Sequence, residues 1–238
     1  MFKKTTNGIT KLLVGIYKTI KGEDKPTDKV IDVIDPKPPE IKEKPSEGKQ
    51  VMSKQGLADM VLAEGIILTK YLDSAGVLTV AIGATKSEVS DIASWPNDKA
   101  LTIEQCFELL KKSNERYEKG VRRALKVPVS QQMFDGLVSF AYNVGVHGMT
   151  HSSLVRAINN GETSEAKLKP LLMRWNKITR NGRKVVSRGL INRRKKEAQV
   201  MFRGKYKNPN FIGYVIPVNS RLKPVYIRGK KIDIRDYL

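Results

Sequence analysis

Residues 64–83 read EGIILTKYLDSAGVLTVAIG, and this stretch contains a predicted helix end followed by a predicted hairpin. Apolar residues recur at helical spacing from about residue 53 and stop at Glu64-Gly65, which predicts a helix that ends there. The β-branched, glycine-punctuated residues that follow predict a small hairpin turning at residues 74–76. Three polar side chains therefore take distinct places: Glu64 at a helix end, Asp73 in a hairpin turn and Thr79 on the returning strand.

Two acids placed in this way fit the hydrolysis of a glycoside. One carboxyl group must stay protonated to donate to the leaving oxygen, and a second, ionised one must activate water or act as the nucleophile. A helix end packed against a hairpin can supply two different environments for these groups. The spacing alone is weak evidence, because either acid taken singly is more often an ordinary solvated surface residue.

The rest of the chain predicts mostly helices. Thr102 and Gln105 form a capping box that predicts a helix to about Leu125, and Ser130 predicts a second helix ending at residues 143–145. Further helices are predicted at roughly 152–160, 163–177 and 188–203, and alternating strands at 211–216 and 225–234 with a turn at Gly229-Lys230. The predicted fold class is α+β, a mostly helical domain with a small β-hairpin at its cleft.

Composition divides the chain into three parts. Residues 1–50 hold a short amphipathic segment and a Pro/Lys-rich linker that cannot form a core. Residues 51–205 are predicted to form the catalytic domain, and residues 206–238 a basic C-terminal extension. Residues 171–238 carry 19 basic and 3 acidic side chains, so most of the net charge of +20 lies there. Such a surface attracts polyanions, unless it is only a solvated face that aids solubility.

Several functional classes are excluded by composition. The single cysteine, Cys106, rules out an internal disulfide framework, and with only His147 and His151 available no metal site is expected. No apolar stretch approaches the roughly 20 residues of a membrane span, so no transmembrane segment is expected. Because two carboxyl groups suffice for glycoside hydrolysis, no cofactor is expected either.

The pattern around the three polar residues resembles the phage-type lysozymes of glycoside hydrolase family 24. The motifs are Glu64-Gly65, Tyr71-Leu72-Asp73, Gly76-Val77-Leu78-Thr79 and a following Gly83. Two later blocks are also similar to the family: residues 140–145 (FAYNVG) with Ser152-Ser153-Leu154, and Arg174-Trp175 followed by Gly189-Leu190 and Arg193-Arg194-x-x-Glu197. The resemblance covers residues ~53–204, and three blocks in the right order are more specific than one triad.

The resemblance implies a role for each matching residue. Glu64 is the expected general acid, Asp73 orients and helps deprotonate the water, and Thr79 holds that water on the opposite face of the sugar. Tyr142, Asn143 and Ser153 are expected to line the saccharide cleft. Trp175, Arg193 and Arg194 are interpreted as structural, with the arginines pairing with acids such as Glu197.

The sequence also departs from the family pattern. Where the family usually continues Ile-Gly-Tyr-Gly-His-Thr after its threonine, this chain has Val80-Ala81-Ile82-Gly83-Ala84-Thr85. Ala81 puts a methyl group where the family has glycine, and Ala84 replaces the histidine. These changes put the shape of the cleft and the rate in doubt, although the three catalytic groups are intact. Trp95 lies in an added loop and either stacks on a sugar or anchors that loop.

The leading hypothesis is a muramidase that cleaves the β-1,4 bond between N-acetylmuramic acid and N-acetylglucosamine in bacterial peptidoglycan. The alternatives are a lytic transglycosylase, or a phage structural protein whose lysozyme domain mainly binds the wall. The expected location is the phage virion or the infected host cell. The amphipathic N-terminus, the linker and the basic C-terminal extension are better explained as segments for attachment to virion proteins, which favours a virion-associated enzyme over a free endolysin; nucleic acid is a less favoured partner.

Overall fold

The structure is a computed structural model that describes residues 49–73, 76–180 and 182–238. The predicted amphipathic segment and nearly all of the predicted linker fall in residues 1–48, outside the described residues. Two residues of the predicted hairpin turn, Ser74 and Ala75, also lie outside them.

The described part of the chain consists of helices and three small antiparallel strand pairs. The helices are α1 (Lys54–Glu64), α2 (Ile103–Ala124), α3 (Gln131–Thr150), α4 (Ser153–Asn159), α5 (Glu165–Met173) and α6 (Arg188–Arg203). The strands pair in chain order as β1 (Ile67–Leu72) with β2 (Leu78–Ala81), β3 (Lys177–Arg180) with β4 (Arg183–Val186), and β5 (Ile212–Val215) with β6 (Lys230–Asp233). Short 3-10 turns lie at Ile92–Ser94, Tyr226–Arg228 and Arg235–Tyr237. The predicted α+β class is confirmed.

Local capping signals explain where the helices begin and end. The Ser53 hydroxyl accepts a hydrogen bond from the Gly56 amide and starts α1, and Gly65 ends it with a φ of 79°, a conformation open to glycine. The predicted capping box of Thr102 and Gln105 opens α2. Gly204 closes α6 in the left-handed region, as predicted.

Helix α3 forms the centre of the core and packs against both α2 and α6. Its side chains Phe134, Leu137 and Phe140 are fully buried. Helical structure continues to Thr150, but Gly145 has non-helical backbone angles, with a φ of 82°. The helix is therefore interrupted at the residue where the sequence predicts its end, and a further turn follows.

The region between α5 and α6 differs from the prediction. Helix α5 ends at Met173 and not near residue 177, and residues 177–186 form the hairpin β3–β4. All four side chains of β4 are exposed, so this hairpin lacks the apolar alternation by which a strand is usually found. The Asn-Gly pair at residues 181 and 182 is nevertheless a strong local signal for a hairpin.

The C-terminal strands also differ from the prediction. Strand β5 confirms the prediction at 211–216, but β6 starts only at Lys230, because Tyr226–Arg228 form a 3-10 turn. The predicted turn at Gly229-Lys230 is wrong, since Lys230 already pairs with Val215. Strand β6 thus pairs with β5 and not with the residues just before it.

Residues 206–238 pack against the helical domain. Ile234 is fully buried in the main core, and the Tyr237 ring stacks on Phe107 of α2 with ring centroids 5.2 Å apart. The Tyr206 hydroxyl donates to Asp135 of α3 at 2.7 Å. The residues after 206 thus contact the helical domain, and the predicted boundary at residue 206 stays a prediction. No helix in the described ranges has the length and apolar composition that a bilayer span requires.

Candidate active site

Glu64 is the last residue of α1, at the point where Gly65 turns the chain into the hairpin. Its carboxylate is largely buried, with 15% of the side chain exposed, and Oε1 lies 3.4 Å from Nη1 of Arg193. The next residue but one, Ile66, is held by two backbone hydrogen bonds to Tyr214 and Ile216. Glu64 therefore sits on a firmly held backbone beside a cation.

Asp73 directly follows β1 and closes the turn of the hairpin. Its Oδ1 accepts a hydrogen bond of 2.7 Å from the Val77 amide, and its own amide donates to the Val77 carbonyl at 3.0 Å. These bonds tie Asp73 to Val77 and leave the Asp73 side chain partly exposed. A carboxylate in such a position keeps access to solvent water.

Thr79 lies on β2 opposite Tyr71. Its hydroxyl donates to the Val77 carbonyl at 3.0 Å, and 3% of the residue is exposed. Because the hydroxyl proton is used within the hairpin, the oxygen can only accept a hydrogen bond from a water. The water-holding role of Thr79 stays a prediction.

The charges of Glu64 and Asp73 both affect the hydroxyl groups of Tyr71 and Tyr226. Burial raises the pKa of Tyr71, and the charges of Glu64 and Asp73 raise it further. Burial also raises the pKa of Tyr226 to about 12, again with contributions from Glu64 and then Asp73. Glu64 precedes strand β1 and Asp73 follows it, so both acids are held by the same hairpin.

The three predicted cleft residues differ in how they relate to this cluster. The Tyr142 hydroxyl donates to the Ile82 carbonyl at 3.4 Å, and burial, followed by the charge of Glu64, raises the pKa of Tyr142. Asn143 accepts a hydrogen bond of 2.8 Å from Arg194. Ser153 is half-buried at the first position of α4. Arg193, which contacts Glu64, also lies 6.0 Å from the Tyr142 ring, whereas Asn143 is bonded to Arg194 behind the site.

Arg193 is the site residue that the sequence interpretation missed. Its predicted partner, Glu197, does lie 3.4 Å from its Nε, but the other end of the guanidinium reaches Glu64. Burial lowers the pKa of Arg193, but attraction to Glu64 and Glu197 has the larger effect, so the pKa is raised overall. Glu64 and Arg193 are 129 residues apart in the sequence, so no local pattern could pair them.

The neighbouring Arg194 is structural, as predicted. It is fully buried, donates to Glu197 at 2.7 Å and lies over the Phe140 ring at 4.9 Å. Burial lowers the pKa of Arg194, and the attraction of Glu197 offsets only part of this effect. The contacts of Arg194 with Phe140 and Asn143 join α6 to α3 behind the site.

Both tryptophans pack against neighbouring protein groups. Trp95 is buried, donates from Nε1 to Asp91 at 3.0 Å and is covered by the Lys99 ammonium at 3.8 Å, so it anchors its loop. Trp175 packs edge-on against Phe140 with ring centroids 5.4 Å apart, which confirms its structural role. Among the described residues, no group of three or more His, Cys, Asp or Glu side chains could hold a metal ion.

Comparison with known proteins identifies the group to which this geometry belongs. The profile of the Phage lysozyme family matches residues 62–197, more than half of the chain. The SAR-endolysin of Pseudomonas phage phiKMV is 40% identical over 141 residues, 59% of this chain and 82% of that protein. The endolysin of Bacillus phage PZA is 35% identical over 159 residues, or 66% of this chain, and the match spans 57% of that endolysin.

Solved structures agree with the sequence matches. An endolysin from Escherichia coli O157:H7 phage FAHEc1 superposes with a TM-score of 0.58 at 32% identity, covering 67% of this chain and 98% of that one. A lysozyme of phage P22 superposes with a TM-score of 0.53 at 24% identity, covering 63% and 97%, which supports the fold alone.

Proposed function

Because the chain belongs to the phage lysozyme family, we propose that it hydrolyses the β-1,4 bond between N-acetylmuramic acid and N-acetylglucosamine. Membership of the family makes the chain a lysozyme, an enzyme that acts on peptidoglycan. The bond that it cleaves and the roles of individual residues are our inference. The observation that carries the inference is that one hairpin holds all three groups, with Glu64 at the helix end before β1, Asp73 directly after β1 and Thr79 on the paired strand β2.

Each catalytic residue has a separate step in the proposed mechanism. Protonated Glu64 donates its proton to the glycosidic oxygen as the bond to the anomeric carbon breaks. A water held by Asp73 and Thr79 attacks that carbon from the opposite face and passes its proton to Asp73. Solvent then returns both carboxyl groups to their starting states. Arg193 stays outside the bond changes and holds the Glu64 side chain in place.

The direct test is Glu64→Gln, which keeps the shape of the side chain but removes the proton donor. We expect the rate of glycan cleavage to fall by ~10²- to 10⁴-fold without loss of folding, the usual range for general acid catalysis. Glu108→Gln is the matched control, because Glu108 is exposed on α2. A zymogram on purified cell walls and a thermal melt provide the two readouts. Near-normal lysis by Glu64→Gln would remove Glu64 from the mechanism.

Product analysis separates hydrolysis from the alternative reactions. Direct attack by water predicts an inverting enzyme, in which the two carboxyl groups are about 6.5 to 9.5 Å apart. Product NMR should therefore show the α-anomer first. Initial β-anomer indicates a covalent or substrate-assisted route, 1,6-anhydro ends indicate the transglycosylase, and binding without clearing on the zymogram indicates a wall-binding structural protein.

Two biological settings fit this activity. The endolysin names of the similar proteins favour action on the host wall from within the infected cell. The amphipathic N-terminal sequence, the linker composition and the basic C-terminal third favour attachment to virion proteins and local wall penetration. Mass spectrometry of purified particles distinguishes them, since only a virion-associated lysozyme is retained through purification.

A further inference from the structure

Residues 212–226 continue beyond the family match, which ends at residue 197, yet they contact the chain beside both carboxylates. Next to Glu64, the Ile66 amide donates to the Tyr214 carbonyl at 2.9 Å, and the Ile216 amide donates to the Ile66 carbonyl at 2.8 Å. A Cβ on Gly65 would lie 2.2 Å from Cδ1 of Ile216. The segment therefore packs directly on the turn that carries Glu64.

The same segment holds the backbone on the other side of the hairpin, next to Asp73. The Leu72 amide donates to the Leu222 carbonyl at 2.7 Å. The Lys223 ammonium donates to the carbonyls of Leu72 and Asp73, both at 3.4 Å. Both ends of β1 are thus hydrogen-bonded to one C-terminal segment.

The space between these two attachment points is filled by side chains. Ile67 and Tyr71 of β1 form a small buried cluster with Ile216, and the Tyr226 ring packs against this cluster. Its hydroxyl stays protonated well above neutral pH, because its pKa is raised to about 12. The Tyr226 ring packs beside the strand that joins Glu64 to Asp73, in a region whose charged groups include Arg193 and Lys223.

The loop that carries Lys223 is itself well ordered. The Asn219 side-chain oxygen accepts hydrogen bonds from the amides of Arg221 and Lys223, at 2.9 and 3.0 Å. Val218 forms an antiparallel bridge with Pro224. The loop thus has hydrogen bonds of its own in addition to those that it makes with the hairpin.

We infer that residues 212–226 are part of the catalytic site and set the position of Glu64 relative to Asp73, with Lys223 and Tyr226 as positioning residues. The inference rests on the proposed function, because it assigns these residues to the same two carboxylates. A misplacement of about 1 Å at a catalytic group can cost 10²-fold in rate, so such support affects catalysis more than binding.

The test compares Lys223→Met with Lys230→Met in the full chain. Lys230 is exposed on β6 in the same basic segment, so its substitution removes the same charge without touching the hairpin. On a small soluble glycan, we expect Lys223→Met to lower kcat about tenfold with little change in KM. Lys230→Met should leave both unchanged. Lys223→Arg should restore most of the rate, and all melting temperatures should agree within about 2 °C.

Hydrogen exchange and the tyrosine variant give readouts that do not depend on one substitution. The Leu72 amide should exchange faster in Lys223→Met than in Lys230→Met, whatever the activity. Tyr226→Phe keeps the ring in its cluster and Tyr226→Leu removes it, so Tyr226→Leu should lower kcat more than Tyr226→Phe does. If Lys223→Met and Tyr226→Leu keep the normal kcat and Leu72 exchange, the segment is only a structural support. Such a result would leave Glu64→Gln, and with it the proposed function, unaffected.

Discussion

At the residue scale, Ala81 is the most informative departure from the family pattern. It is fully buried at the end of β2 and has a φ of 58°, in the left-handed region. This conformation costs an L-residue about 1–2 kcal/mol, whereas glycine adopts it freely. The methyl group at residue 81 therefore produces backbone strain in β2, the strand that carries Thr79.

Substitutions at Ala81 should show this strain. Ala81→Gly relieves it but loses a buried methyl worth ~0.8 kcal/mol and gains freedom in the unfolded chain, so stability should stay within about 1 kcal/mol. Ala81→Val adds a β-branch in a filled site and should lower the free energy of unfolding by more than about 2 kcal/mol. Urea denaturation measures both. A well-tolerated valine would show that residue 81 is not in the left-handed region.

At the element scale, two consecutive arginines of α6 join the core to the site, because Arg194 lies in the core and Arg193 contacts Glu64. Arg194 points into the core and pairs with Glu197, while Arg193 bridges Glu197 and Glu64. Burial raises the pKa of Glu197, and the two arginines oppose that effect. One acid therefore balances the buried cation and also orients the arginine that contacts Glu64.

Removing Glu197 should destabilise the protein strongly. Glu197→Ala leaves the Arg194 charge buried without its partner, a change that typically costs about 3–5 kcal/mol. Lys195→Ala, on the exposed face of the same helix, should change the free energy of unfolding by less than about 0.5 kcal/mol. Denaturant titrations of the two variants give the comparison. Equal stability of both would mean that solvent reaches Arg194.

At the scale of the whole molecule, the C-terminal residues are held to the helical domain at several separate places. Asp59 of α1 accepts hydrogen bonds from the amides of Lys207 and Asn208. The Asn208 side chain donates to the Ala58 carbonyl at 2.8 Å, and Ile234 lies in the main core. The composition of these residues predicts a separate basic extension, but their contacts give them a part in folding.

Two isoleucines in this segment provide a matched test. Ile234 is fully buried and Ile227 is 88% exposed. Ile234→Ala should lower the free energy of unfolding by about 2–5 kcal/mol, and Ile227→Ala by less than about 0.5 kcal/mol. Truncation before Tyr206 should prevent stable folding for the same reason. A truncated chain that melts at the normal temperature would show that residues 206–238 are a dispensable extension.

Some features of this protein follow from the sequence because they depend on residues only a few positions apart. The helix starts at Ser53, Thr102 and Ser130 come from side chains that cap amides within the next turn. The helix end at Glu64-Gly65 is equally local, and so is the hairpin that follows it. The Asn-Gly pair at residues 181 and 182 shows that even the hairpin absent from the sequence prediction has a local signal.

The tertiary structure alone decided which distant residues complete the site. Among 44 basic residues, no spacing singles out Arg193 as the partner of Glu64 or Lys223 as the contact of Asp73. These contacts join positions 129 and 150 residues apart, and each depends on the packing that brings α6 to the end of α1 and the loop after β5 to the end of β1. The sequence by itself determined the chemical groups and the secondary structure next to them, because helix caps and turns are formed by residues a few positions apart. Their partners are fixed only by the packing of the whole chain, because ion pairs between distant segments leave no periodic pattern.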